Sequence, residues 1–596
     1  MLKFLKTVGR GLDLLRRLTL NLLFFGIVLG LVFVLVYEKP ASVPPNAVLL
    51  VTLSGQIVEE DDFNGRGAFA SLADGSEAST RLRDVTRALT LAADDKRIAA
   101  VHVRVQDLTK AGLASLREIG AAMDRVKAAG KKITVWSTGY SQAQYAVAAH
   151  ANEAYVHPMG GVMLRGLSST RLYWGEALRN LGVTVHVYRA GDFKSAPEVF
   201  VRASASKESL AADRFWMKDL WWQYTANIES SRGLMPGALD KLIATYPEVL
   251  DKAQGDMSRV ALDQNLIDSV STSDELAETL KMRLGGKALN FVDYRTYLEA
   301  VGEEPSGKRI AVVTIQGEIK DGGDGPGMTG ERDAVRRIRA VRESSDFIAL
   351  VVRIDSPGGS TVASELIRRE IELTKKAGKP VVASFGDYAA SGGYWIALAA
   401  NKIVTDPMSV TGSIGVFGMM PTFEKSLEKL SLGADGASTS SMADITNPIK
   451  GVTAEYDKMM ELTVARTYRD FITLVSKARR MNEQKVADLA QGRVFPGRQA
   501  VDMGLADSLG GMDVAVRLAG ELAGNANAPV RYVEREASGL SVLLMRVLQR
   551  AALESGLVPA FEALAPAAKA LAPLQRLQAS ATGAMPLYSH CLCSPE

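Results

Sequence analysis

The feature that most constrains this 596-residue chain is an internal duplication. "NAVLLVTLSGQI" (46–57) parallels "KRIAVVTIQGEI" (308–319), and "KRIAAVHVRVQ" (96–106) parallels "SDFIALVVRID" (345–355). "KAAGKKITVWS" (127–137) parallels "KKAGKPVVASF" (375–385), and "YAVAAHANEAYVHPMGGV" (145–162) parallels "YWIALAANKIVTDPMSVTGS" (394–413). The matches keep their order, at an offset of about 249 residues over the central blocks, as from Tyr145 to Tyr394. The chain therefore holds two copies of one fold. In each copy short β-rich apolar runs alternate with amphipathic helices. In the second, 348–354 and 381–385 read as buried strands around a helix over 361–376, with Val362, Leu366, Ile367, Ile371 and Leu373 as its apolar residues. Strands alternating with helices predict an α/β fold of βα units with right-handed crossovers.

Such a length exceeds one ordinary core. The expected division is 1–45 (basic flank, anchor and stalk), 46–300 (first copy), 301–530 (second copy) and 531–596 (tail). The tail changes texture. It has an amphipathic stretch and an Ala- and Pro-rich stretch, and no chemistry is assigned to it. A composition of 47% hydrophobic and 23% charged residues is that of a folded protein, and a net charge of +3 gives no reason to expect nucleic-acid binding. The two cysteines, Cys591 and Cys593 in "HCLC", make no disulfide framework and lack the usual zinc spacing. No cofactor or metal site is read. The glycine-rich "KDGGDGPGMTGE" (320–331) lacks the G-K-[ST] ending of a phosphate loop and reads as a mobile surface loop.

The first 45 residues predict location. Lys3, Lys6, Arg10, Arg16 and Arg17 face one acid, Asp13, and residues 19–37 then carry no charge. At about 1.5 Å per residue that run nearly spans a hydrocarbon core of about 30 Å. A cleaved signal peptide has a shorter apolar region and a small-residue cleavage site, which "YEKPASVPPN" supplies poorly. The expectation is an uncleaved single-pass anchor, N-terminus cytoplasmic, with the remainder translocated.

Three segments of the second copy belong together. "RIDSPGGS" (353–360) and "GDYAASGGYW" (386–395) each leave a strand and enter a helix through small residues, and "VTGSIGVFG" (410–418) is a third such turn. Helix N-termini present N–H groups suited to a negative oxygen. Ser391 is the candidate nucleophile, with N–H groups near Gly359 and Gly392 as an oxyanion hole. All three segments can also be packing turns. Against that, the first copy has Gln142 and Ala143 opposite Ser391 and Gly392, and Thr109 and Lys110 opposite Gly358 and Gly359. The fold tolerates their absence, so their joint presence in one copy points to a function.

The nucleophile needs a base. Of the five histidines, His102, His150, His157 and His186 lie in the first copy and His590 in the tail, so the second copy holds no Ser-His-Asp triad of its own. A histidine acting across copies stays open. The other candidate is Lys194 in "YRAGDFKSAPEVF" (188–200); the comparable "GASTSSMADITNP" (436–448) has no lysine. A base must be neutral, and burial depresses a lysine pKa by several units. Glu198 and Asp192 would hold Lys194 charged if they faced it, so both are expected to point away.

Together the anchor, "GDFKSAPE", "RIDSPGGS", "AASGGYWIALAAN", "TGSIGVFG" and "QGRVFPGRQAVDMGLADSLGG" (491–511) resemble the signal peptide peptidase A family (protease IV, peptidase family S49), in its long tandem form. The resemblance spans nearly the whole chain; single pieces such as SPGG are shared with the wider Clp-protease/crotonase superfamily. It implies two copies of the superfamily's ββα fold behind a transmembrane helix. It also implies a Ser-Lys dyad of Ser391 and Lys194, with Ser413 hydrogen-bonded to the amine. It further implies a homotetramer on the bacterial inner membrane, with catalytic domains outside the cytoplasm, degrading apolar signal-peptide remnants. The helix after Lys194, in "KSAPEVFVRASASKE" (194–208), departs from the expected pattern and bears on substrate detail. Two alternatives remain: a crotonase-like acyl-CoA enzyme, which could use the same turns, and an inactive membrane scaffold, which accounts for the duplication and the anchor but not for the serine-glycine set and the lysine.

Overall fold

The apolar runs of each copy assemble into a sheet of their own. In this computed structural model the described residues are 16–26, 42–61, 79–283, 290–302, 307–535 and 587–591. The first copy's sheet has six parallel strands in the order Phe291–Asp293, Ala47–Thr52, Ile98–Arg104, Lys132–Ser137, Glu153–Val156 and Ser269–Val270. The second copy repeats the plan with Arg309–Gln316, Phe347–Ser356, Val381–Ala390 and Lys402–Thr405. The strands are continuous apolar runs because helices cover both faces of a parallel sheet. Along Arg309–Gln316, Ala311, Val313 and Ile315 enter one core layer, and Ile310 and Val312 the other. The helix Thr361–Lys376 has the expected bounds, but of its five named apolar residues only Ile367 and Ile371 are buried; Val362 and Leu366 are exposed, and Ala363, Ser364, Glu370 and Thr374 complete the buried face.

The duplication reaches individual hydrogen bonds. Buried Tyr145 donates to Leu266 O and buried Tyr394 to Leu505 O. Asn152 Oδ1 accepts from Ile133 N as Asn401 Oδ1 accepts from Val381 N, both at 2.8 Å. Asp268 binds Ala154 N and Arg232; Asp507 binds Ile403 N and Arg479. Each pair fixes the same corner of a βα unit, so the two copies share a framework whatever else they have lost.

A third sheet joins the copies. Its order is Met328–Gly330, Glu318–Lys320, Gly358–Ser360, Leu587–His590, Val416–Thr422 and Thr184–Ala190. The last two pair antiparallel from Thr184↔Thr422 to Ala190↔Val416, so a first-copy strand is zipped onto a second-copy strand. Buried polar groups bridge the copies elsewhere. Arg353 reaches Glu59 and Glu118, Asp387 accepts from Ser115 N and Oγ, and Gln316 Oε1 accepts from Glu59 N and Glu60 N.

Three expectations meet the structure differently. The strand expected over 381–385 runs on to Ala390, because residues through the GDYAA stretch continue the buried ladder. The segment 320–331, expected to be loop, takes in the strand Met328–Gly330. It borders two strands of the joining sheet, and its turn is tied down where Asp324 Oδ1 accepts from Gly330 N and Asp333 Oδ2 accepts from Asp324 N. Of the expected anchor, residues 27–37 lie outside the described residues. Residues 16–26 include a helix, and among the described residues no helix is long and apolar enough to cross a membrane.

Candidate active site

Ser391 follows directly on Val381–Ala390 and is the N-cap of the short helix Gly392–Ala397. Its backbone angles, φ 58° and ψ −113°, lie in a region that costs a non-glycine residue about 1–3 kcal/mol. Packing imposes them. Ser391 N donates to Gly412 O at 2.8 Å, Ser391 O accepts from Trp395 N at 2.8 Å, and a Cβ on Gly393 would stand 2.9 Å from Ser356 O. A serine held on a strained strand-to-helix corner presents its hydroxyl away from its own backbone.

Lys194 arrives from the other copy. It follows Thr184–Ala190 by one tight turn, in which Lys194 N donates to Gly191 O at 3.1 Å. The turn rests on residues 491–492. Phe193 N donates to Gln491 O at 2.8 Å, and a Cβ on Gly492 (φ +80°) would fall 2.6 Å from Lys194 N. Nζ lies 2.7 Å from Ser391 Oγ, 2.9 Å from Ser413 Oγ and 3.0 Å from Ser413 O. Lys194 is 1% exposed and Ser391 0%. Burial alone holds the amine well below the ordinary lysine range. A neutral amine in this place can donate to the two Ser413 oxygens and accept the Ser391 O–H on its lone pair. Ser413 is itself at positive φ, 51°, with its N–H donated to Arg493 O at 2.6 Å.

The acids that threatened this arrangement are engaged elsewhere. The Glu198 carboxylate accepts from Ser206 N at 3.0 Å and lies 3.2 Å from Arg189 Nη1; Asp192 is exposed. His102 packs on Thr134 and is pushed down to about 4 by burial, His150 meets Asp124, and His186 meets Thr422. His590, placed by its sequence position in a remote tail, stands at the site. With Cys591 it lines a cavity of ≈ 20 Å³ beside Lys194 and Ser413.

Ser391, Lys194 and Ser413 thus come together within one chain, with Gly392 at the first turn of the helix that Ser391 caps. Gly359 lies on the strand Gly358–Ser360, where a Cβ would fall 1.9 Å from Ile319 O, so no side chain fits. Gly358 N–H is taken by Ser356 Oγ at 3.1 Å. Sequence reasoning did not single out the support from Gln491 and Gly492, the Ser413 carbonyl, or residues 590–591. The first carries a glycine beside a polar residue as its only local signal; the others carry none.

Peptidase family S49 matches at residues 125–286 and 373–526, one region in each copy. Protease 4 of Salmonella typhi is 35% identical over 557 residues, 91% of this chain and 89% of the relative. The chain belongs to peptidase family S49. It is a serine protease. "Serine protease SPPA, chloroplastic" of Arabidopsis thaliana is 29% identical over 81% of this chain and 70% of its own length. Among solved structures, ClpP1 from Listeria monocytogenes is similar over 34% of this chain and 91% of its own, at 16% identity and a TM-score of 0.22. Lys194 falls in the first of the two family regions and Ser391 in the second.

Proposed function

We propose that the protein is a membrane-anchored endopeptidase in which Ser391 is the nucleophile and Lys194 the general base. The observation that carries the reading is the 2.7 Å contact between a fully buried amine, its pKa lowered by that burial, and a serine hydroxyl on a strained corner. Lys194 takes the Ser391 proton as Oγ attacks a peptide carbonyl. N–H groups at Gly392 and about Gly359 hold the oxyanion. The lysine ammonium then protonates the leaving amine, and a water, deprotonated by Lys194, cleaves the acyl-enzyme. Ser413 positions the amine through two of its oxygens.

Apolar peptides such as signal-peptide remnants are the substrate class. An anchor over residues 19–37 supports this by holding the site at the bilayer that contains them. A homotetramer belongs to the same reading and is checked by sedimentation of the detergent-solubilised chain. A crotonase-like enzyme has no use for a buried lysine in contact with a serine, and an inactive scaffold has no reason to keep the pair. The test is hydrolysis of an apolar fluorogenic peptide by wild type, Ser391→Ala and Lys194→Ala at several pH values. Both variants lose activity while remaining folded. A normal rate for Lys194→Ala returns the base to another group, with His590 first.

A further inference from the structure

Residues 491–493 touch both halves of the Lys194–Ser413 pair. Toward the lysine, Gln491 O accepts from Phe193 N at 2.8 Å, and a Cβ on Gly492 would fall 2.9 Å from Lys194 Cα. Toward the serine, Gly492 N donates to Ile414 O at 2.9 Å, and Arg493 O accepts from Ser413 N at 2.6 Å. These are backbone contacts, and none of them needs an arginine side chain.

That side chain nevertheless has a specific place. The Arg493 guanidinium carbon stands 4.2 Å from the centroid of the Phe193 ring. A cation so placed is attracted by the negative face of the ring. Arg493 Nη1 donates to Asp488 O at 3.1 Å, in the last turn of the helix Glu483–Leu489, where a positive charge is favoured. Phe193, from the first copy, is thus held twice by the second: its N–H by Gln491 and its ring by Arg493.

Phe193 directly precedes Lys194, and both line the cavity of ≈ 20 Å³ at the amine. That is room for about one water. The other charged or titratable groups on this cavity are Arg171, paired with Asp213 at 2.7 Å, and His590. On the lysine's own segment Asp192 is exposed and Glu198 is paired with Arg189 at 3.2 Å. The amine is held below the ordinary lysine range by burial, not by a neighbouring charge. A ring that swings away opens the cavity to solvent, and a hydrated amine keeps its proton.

We propose that Arg493 is a positioning residue: its guanidinium pins the Phe193 ring as a wall of the Lys194 cavity and so keeps the amine dry before substrate arrives. The inference rests on the reading of Lys194 as general base. It gives the side chain of Arg493 a task in the chemistry, acting through Phe193 and without touching the reacting atoms. A cation over a partly exposed ring favours the pinned position by about a factor of five.

The experiment follows fluorophosphonate labelling of Ser391 across pH in the detergent-solubilised full chain. Arg493→Met keeps an apolar stem and removes the cation. Its labelling rate on the acid limb of the profile falls about fivefold, while its alkaline plateau equals that of wild type, so the profile moves to higher pH. Arg493→Lys keeps the charge without the planar fork and falls less. In a Phe193→Leu background the acid limb is already low, and Arg493→Met changes nothing further. A lower plateau with an unmoved profile makes Arg493 merely structural and overturns the proposal. An equal effect of Arg493→Met with and without the Phe193 ring also overturns it. In either case Lys194→Ala still fails to label if the lysine is the base. Labelling of Lys194→Ala at the wild-type rate removes that reading, and the proposal with it.

Discussion

At Ser391 a non-glycine residue holds φ 58°, and at Ser413 another holds φ 51°; the strained pair clasps one amine. The strain is maintained by neighbours that leave no alternative, such as Ser391 N on Gly412 O and Ser413 N on Arg493 O. Lys194 destabilises the fold in which it works. Its pKa lies below the ordinary 10.5, so between the folded value and 10.5 the unfolded chain binds the additional proton. Across that window stability rises with pH, and at neutral pH the burial is unfavourable. Lys194→Met therefore lowers kcat/KM by about 10³-fold while raising Tm by a few degrees, read by differential scanning calorimetry. Ser413→Ala removes one acceptor and keeps the carbonyl, and costs about fivefold in kcat with little change in KM, since a hydrogen bond contributes about 1 kcal/mol. Ser391 and Lys194 were legible because each stands where the other copy has no counterpart. The role of Ser413 came only through resemblance, and the contact of its carbonyl had no sequence signature, since every residue has a carbonyl.

Among elements, the loop at residues 491–492 and the strand pair Thr184–Ala190 with Val416–Thr422 place Lys194. The sequence shows the apolar run before Lys194 but not what it pairs with, because strand partners are chosen by the tertiary fold. The same holds for Leu587–His590, a short run with no visible partner. The segment 320–331 misleads for a related reason: its glycines read as freedom, yet a Cβ on Gly330 would fall 2.1 Å from Gly323 C, so that glycine records close packing. A Gly492→Ala substitution tests the supporting role of the loop. The new Cβ, 2.6 Å from Lys194 N at a φ of +80°, displaces the turn. The expected result is a fall in kcat of about 10²-fold in a chain that keeps its circular dichroism spectrum.

Over the whole molecule, the duplication was legible as α/β architecture because repeated apolar runs dictate repeated strands. The joint between copies was not, since it is polar and buried. Arg353 is 1% exposed and lies between Glu59 and Glu118 of the first copy. Burial pushes Glu118 up to about 7, against the pull of Arg353. Its folded value exceeds the ordinary 4.5, so its contribution to stability is full below that value and fades as pH rises through about 7. Glu118→Gln removes this contribution and flattens the fall of Tm between about pH 4.5 and 7. The joint matters because the account divides one active site between two copies: a base from the first and a nucleophile from the second. The most direct measurement is the rate at which a fluorophosphonate labels Ser391, followed by peptide mass mapping across pH in wild type and Lys194→Ala. The account predicts labelling at Ser391 that rises with pH through a value below 10.5 in wild type, and near loss of labelling in the variant. Labelling of Lys194→Ala at the wild-type rate, or a rate flat from acid to alkaline pH, would contradict it.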